Sequence, residues 1–132
     1  MRWIAVCRYD DLLPERAVAA LLGDEQVVVV RTHDGTLYVV GNRDPDTGAC
    51  VLSRGIVGSR GDRPTLIAPL HKQAYDLGTG ACLDDPALRV PTYGVRVDDG
   101  VVHVATRPGA RSAPTADATG PGVPQAAGTA SK

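Results

Sequence analysis

A chain of 132 residues with 22% charged positions, 43% hydrophobic positions and a net charge of −1 has the length of one ordinary domain, at roughly 100–200 residues each. The near-neutral balance excludes the basic excess that a nucleic-acid-binding domain normally carries, and no stretch approaches the ~18 uninterrupted apolar residues of a membrane span. With 15 Gly, 10 Pro and no Phe the chain is rich in turns, and 3 Cys with 3 His are its whole stock of soft ligands.

The N-terminus, MRWIAVCRYDDLL, lacks the apolar core and small-residue cleavage site of a signal peptide. An odd number of well-separated Cys argues against a secreted disulfide framework, so a cytoplasmic location with reduced thiols is expected. Arg2 to Tyr9 alternates bulky and polar positions and predicts a first strand. Asp11 to Leu22 (DLLPERAVAALL) has helical spacing, with Pro14 in a first turn and Gly23 as a stop, and predicts one short helix capping a sheet edge, or only a turn of helix followed by loop. Val27 to Arg31 is a continuous β-branched run, and the turn signal Thr32-His33-Asp34-Gly35 joins it to Leu37–Val40 as a hairpin.

Between Gly41 and Arg63 five glycines and little sustained pattern predict a long connection, and loops beyond ~12–15 residues in compact domains tend to be functional or disordered. Thr65–Ala68, His71–Leu77, and Gly94–Val97 with Val101–Ala105 around Asp98-Asp99-Gly100 add four short strands. Hairpins at this spacing make an all-β chain, a small sandwich or partial barrel. From Thr106 to Lys132 the chain is almost wholly Ala, Pro, Gly, Ser and Thr, too poor in apolar surface to offset its ordering entropy, so 106–132 is expected to be a disordered tail. Without Arg107, Arg111, Lys132 and Asp117 the domain at 1–105 holds 11 basic and 14 acidic residues.

The segment from Ala68 onward, with Pro69-Leu70-His71-Lys72-Gln73, Ala74-Tyr75-Asp76, Gly78 and the final Val-rich hairpin, resembles the second half of a Rieske-type domain. More closely, Leu52-Ser53-Arg54-Gly55-Ile56-Val57-Gly58, Pro69–Gln73 and Cys82-Leu83-Asp84-Asp85-Pro86 resemble the small subunits of assimilatory NAD(P)H-dependent nitrite reductases, from about Trp3 to Val104. The resemblance implies a Rieske-like fold of two small antiparallel sheets. It also implies a large-subunit partner carrying FAD, sirohaem and an iron–sulfur cluster, which reduces nitrite to ammonium.

A Rieske centre holds one iron by two Cys and the other by two His. Family motifs supply these as Cys-x-His in one loop and Cys-x-x-His in the other, whereas the matching positions here are Asp44, Asp46, Ala68 and His71. Only His71 stands at a ligand position, so no metal or cofactor is expected in this chain. No Cys-x-x-Cys or Cys-x-x-His occurs to replace the set. For His71 two roles stay open: a structural hydrogen bond at the loop base, or a partner contact.

Catalytic signatures are absent as well: there is no Gly-x-Ser-x-Gly elbow, no Walker loop, and Ser53 has no general base that the sequence places beside it. Asp84-Asp85 and Asp98-Asp99 read as turn residues. No catalytic residue is assigned, and the chain alone is not expected to be a catalyst. Arg54, Arg60, Arg63 and Lys72 gather on or beside the two loops, either as a solvated face or as a docking surface, since Arg is enriched where proteins meet. The expected partner interface is Arg54, Arg60, His71, Lys72 and Gln73. Two other classes stay open, a Rieske-type [2Fe–2S] ferredoxin and a free-standing binding or regulatory module; iron content and association with a large flavin- and sirohaem-containing polypeptide separate them.

Overall fold

The computed structural model describes residues 2–106; the predicted tail from 107 on lies outside the described residues. Ten strands form, β1 (Trp3–Arg8), β2 (Arg16–Leu22), β3 (Glu25–Arg31), β4 (Leu37–Gly41), β5 (Ile56–Arg60), β6 (Arg63–Ile67), β7 (Ala74–Asp76), β8 (Thr92–Tyr93), β9 (Val95–Asp98) and β10 (Val101–Ala105). They make three antiparallel sheets, ordered β1-β10-β9, β2-β3-β4-β8 and β5-β6-β7, rather than the two expected.

The middle sheet is explained by β3. Val27, Val28, Val29 and Val30 are all fully buried, because alternate side chains of a strand leave opposite faces and both faces are covered. Val27 and Val29 pack with Leu37, Val39, Val95, Val102 and Val104 in one core. Val28 and Val30 pack with Val40, Leu52, Leu66, Tyr75 and Leu77 in the other. An unbroken β-branched run is the pattern of a strand buried on both sides, and burying each such side chain is worth about 1.5–3 kcal/mol relative to leaving it in water.

The predicted helix over Asp11–Leu22 is corrected. Its helical part is a single 3-10 turn, Tyr9–Asp11, and Arg16–Leu22 is strand β2, paired with β3 from Arg16↔Arg31 to Leu22↔Glu25. Helix propensity is a weak preference that tertiary context overrides. Here the free edge of β3 needs backbone partners, and the apolar run Ala17–Leu22 supplies them. A second correction concerns the long connection: its latter part is β5, joined to β6 by a tight turn with Gly61 at φ 65. The irregular part therefore ends near Gly55, which sits against the carbonyl oxygen of Ile67; a Cβ there would lie 2.2 Å from it. That close approach brings Arg54 beside the chain leading into the Ala68–Gln73 loop.

Candidate functional site

Two loops form one tip of the domain. The first leaves β4 and closes on itself through Asp44 N–H to Ala49 O (2.8 Å), Gly48 N–H to Asp44 O (2.7 Å) and an Arg43↔Cys50 bridge. Within it the Asp44 side chain caps the turn, its Oδ1 accepting the Asp46 N–H at 2.9 Å, as Asp does in turns. Its base is tied down by Asn42, whose Oδ1 accepts the Ser53 N–H at 2.8 Å. The second loop runs from Ala68 to Gln73 and is pinned by Ala68 N–H to Gln73 O (2.9 Å) and Lys72 N–H to Ala68 O (3.1 Å), with Lys72 at φ 58.

The four family ligand positions have been put to other uses. Asp46 and His71 are joined to each other by a hydrogen-bonded ion pair across the tip. Asp44 is fully buried and accepts the Tyr75 hydroxyl on Oδ1 at 3.1 Å. Ala68 is 1% exposed and packs in the second core. One side-chain link thus bridges the two loops and a second ties the first loop to β7, at the positions of the family's ligands. Gln73 adds a smaller contribution to the lowering of the Asp46 carboxyl's pKa.

His71 answers the two roles left open by its spacing with a loop-to-loop bond, although its side chain remains 62% exposed. The hydrogen bond and charge of Asp46 raise its pKa above the ordinary 6.5, and the same pairing lowers that of Asp46 below 3.8. A raised imidazole contributes to the clasp fully below its unfolded value and loses that contribution as pH rises through the folded one; a lowered carboxyl loses its contribution as pH falls through its folded value. The clasp is therefore closed from about pH 4 to 6.5 and loosens on either side. In an NMR titration the His71 ring is expected to titrate above the ordinary histidine range and to return to it in Asp46→Asn; an unchanged midpoint in that variant contradicts the pairing.

The basic cluster divides in two. Arg60 is ion-paired with Asp84 at 3.1 Å, and Arg63 with Asp76 at 2.8 Å. Arg54 and Lys72 are exposed and make no ion pair with any described residue. Leu70, in the second loop, is 57% exposed, and Ile56, paired with Ile67 in the β5–β6 ladder, is 66% exposed. Asp84 does more than turn the chain: its Oδ2 also accepts the Ala74 N–H at 2.9 Å, anchoring the start of β7. Tyr75 and Asp84 were not among the predicted site residues. The one signal for Tyr75 was its place two residues beyond Gln73, where the chain becomes a strand.

The remaining soft ligands are dispersed. Cys7, Cys50 and Cys82 are free thiols, with burial, and secondarily Asp11, pushing Cys7 up to about 11. His33 lies in the β3–β4 turn 3.8 Å from Glu15, and His103 Nδ1 is 3.1 Å from the Val101 carbonyl. No group of three or more His, Cys, Asp or Glu among the described residues is placed to hold a metal ion. A [2Fe–2S] unit needs two thiolates and two imidazoles at this tip. A buried carboxylate held by Tyr75, an alanine, and a histidine already bonded to a carboxylate do not fit it.

Comparison with known proteins places the whole described domain. Residues 2–105 match the family model for the Rieske-like [2Fe-2S] domain. The nitrite reductase (NADH) small subunit of Escherichia coli (strain K12) is 40% identical over 104 residues, covering 78% of this chain and 96% of that protein. A crystal structure of a candidate NADH-dependent nitrite reductase small subunit from Mycobacterium tuberculosis superposes with a TM-score of 0.75 at 48% identity, covering 78% of this chain and 93% of that one. In the nitrite reductase [NAD(P)H] large subunit of Klebsiella oxytoca a 34% identical stretch covers 80% of this chain and 11% of that polypeptide. The chain belongs to the Rieske-like [2Fe-2S] domain family and, within it, to the small subunits of nitrite reductase.

Proposed function

We propose that this chain is the accessory small subunit of an NAD(P)H-dependent nitrite reductase and works without a cluster of its own. It docks through its tip on a large subunit that carries FAD, sirohaem and an iron–sulfur cluster and reduces nitrite to ammonium. The observation that carries the cluster-free reading is the state of the four ligand positions: Asp46 bonds His71, Asp44 bonds Tyr75, and Ala68 is core. The partner is supported by Klebsiella oxytoca, where a stretch 34% identical to this chain is part of the large-subunit polypeptide itself. The cytoplasm is the natural compartment for this role; among the described residues no helix is long and apolar enough to cross a membrane. The folded unit that carries the function is residues 1–105.

The docking surface in this reading is Arg54, His71, Lys72 and Gln73, with Leu70 and Ile56 as apolar anchors at their edge. Exposed aliphatic residues within two positions of an unpaired cation match the make-up of protein interfaces, which combine apolar centres with a polar rim. Arg60 contributes less, because Asp84 neutralises it. Reversing both free cations (Arg54→Glu with Lys72→Glu) is expected to weaken association with the large subunit by about tenfold or more, since each 1.4 kcal/mol is a factor of ten. Co-purification and NAD(P)H-dependent nitrite reduction by the reconstituted complex measure this. Unchanged co-purification and activity would remove the tip as the docking surface.

A further inference from the structure

Strand β2 is an outer strand, paired only with β3 in the sheet β2-β3-β4-β8. The two-residue loop Gly23-Asp24 closes Leu22 on Glu25, which makes these two a hydrogen-bonded pair. By alternation along the ladder, the N–H and C=O groups of Ala17, Ala19 and Leu21 then point away from β3. Among the described residues these groups have no other backbone partner. Sheets normally blunt such an edge with a bulge, a charge, a proline or brevity, and the other five outer strands do so. β1 is irregular between Ala5 and Cys7, β9 carries Arg96 and Asp98, and β5 carries Gly58 and Arg60. β7 and β8 are three and two residues long. β2 runs for seven residues in unbroken register, and from Ala17 to Leu22 it has neither charge nor Pro. On it Val18 and Leu21 are 40% and 67% exposed.

The charges at the two ends of the β2–β3 hairpin indicate what covers this edge. At one end Arg16 lies directly opposite Arg31, and like charges opposed across strands are unfavourable. At the other end Asp24 and Glu25 are adjacent and exposed. Arg16, Asp24 and Glu25 make no ion pair with any described residue. The strand from Arg16 to Leu22 alone spans about 20 Å, so Arg16 and Asp24 of one copy are too far apart to meet. A second copy laid antiparallel along β2 brings the basic end of each hairpin onto the acidic end of the other.

We propose that this protein self-associates through β2: two copies pair β2 with β2, antiparallel, about a two-fold axis at Ala19, and their four-stranded sheets become continuous. In that register Ala19 faces Ala19 of the second copy and Ala17 faces its Leu21, so every outward N–H and C=O of these residues gains a partner. Val18 meets Ala20 and Leu21 covers Ala17, which removes the exposed aliphatic surface from water. Arg16 lies diagonal to Asp24 of the second copy, within reach of a long side chain, and the two-fold axis makes this pair twice. One strand from each side is a small contact, so the association is weak. The inference is independent of the docking of the tip and of its cluster-free reading.

The test uses the full-length protein in analytical ultracentrifugation from about 5 μM to about 1 mM, with amide hydrogen exchange at both limits. The mass should rise from one chain towards two with a Kd of roughly 10–100 μM. The amides of Ala17, Ala19 and Leu21 should slow at high concentration, while those of Val18 and Ala20, which face β3, should not change. Leu21→Lys, at an exposed position, should weaken association by about tenfold or more. Arg16→Glu should weaken it by about fivefold, and Arg16→Glu combined with Asp24→Arg should restore it, a rescue that general loss of stability does not produce. A chain that stays single at the upper limit, undiminished association in both single variants, or no rescue in the double variant overturns the proposal. So does slowing of the three amides only when a large nitrite reductase subunit is added, which gives the edge to that subunit instead.

Discussion

Combining Asp44→Cys, Asp46→His and Ala68→Cys, with His71 retained, is expected to turn a colourless protein brown. The three changes restore Cys-x-His in the first loop and Cys-x-x-His in the second, the ligand set of a [2Fe–2S] centre with two thiolates on one iron and two imidazoles on the other. The backbone of both loops needs little rebuilding, although Asp44→Cys gives up the Oδ1 bonds to the Asp46 N–H and the Tyr75 hydroxyl. The loops are held by their own backbone bonds, Asp44 to Ala49 and Ala68 to Gln73, and by Asn42 at the base of the first, none of which involves the side chains being exchanged. Asp46 and His71 already meet across the tip, so two imidazoles at these positions start out facing each other. After anaerobic reconstitution, iron and acid-labile sulfide should rise from background to about two of each per chain, with the paramagnetic resonance of a reduced Rieske centre. A wild-type protein with stoichiometric iron would overturn the cluster-free reading. A variant that stays colourless would show that the loops no longer hold a ligand-competent spacing.

Removing the Tyr75 hydroxyl should destabilise the domain measurably although no apolar contact is lost. Tyr75 is fully buried, and its hydroxyl is the donor that joins the second core to Asp44. Burial first, and the Asp44 carboxylate next, push its pKa upward, so the phenol stays protonated and serves as a donor throughout the physiological range. Tyr75→Phe leaves a buried carboxylate short of one donor, which costs about 1–3 kcal/mol. For a domain near 100 residues that lowers Tm by roughly 5–15 °C. Tyr75→Ala adds a cavity in the core around Leu66 and Leu77, for a total of about 3–5 kcal/mol or more. Chemical denaturation at constant slope reads both. Wild-type stability in the Phe variant would mean that the tip is not fastened to the core through Asp44.

The parts of the fold that were legible in the sequence are those set by near neighbours. The β3–β4 turn follows from Asp34, whose Oδ1 accepts the Thr32 hydroxyl and the Thr36 N–H at 2.5 and 3.1 Å, and from Gly35 at φ 88. Asp99 and Gly100 turn β9 into β10 with positive φ at both residues. The departure from the family's ligand set was legible as well, because it depends on residue types at two short motifs. β2 was not legible, since Ala17–Leu22 suits a helix by local preference, and only the buried neighbour strand β3 makes it a strand. β5 was hidden among glycines until its register with β6 was known.

The candidate site divides along the same line. Residue types at 44, 46, 68 and 71 exclude thiolate ligation by those positions with no structure at all, for alanine and carboxylate chemistry does not depend on the fold. The pairs that occupy the ligand positions join residues 25 and 31 positions apart, His71 with Asp46 and Tyr75 with Asp44, and no local pattern encodes such partners. The sorting of four gathered cations into two neutralised and two free likewise came from Asp84 and Asp76, which the chain brings in from a later turn and from the end of β7. The sequence by itself determined the turn chemistry, the buried strand and the lack of thiolates at the tip motifs, each a property of covalent identity or of steric limits within a few residues. Only the tertiary structure decided the edge strand, the loop-bridging bonds and the free charges, because these depend on which distant groups share a low-dielectric space and must satisfy one another there.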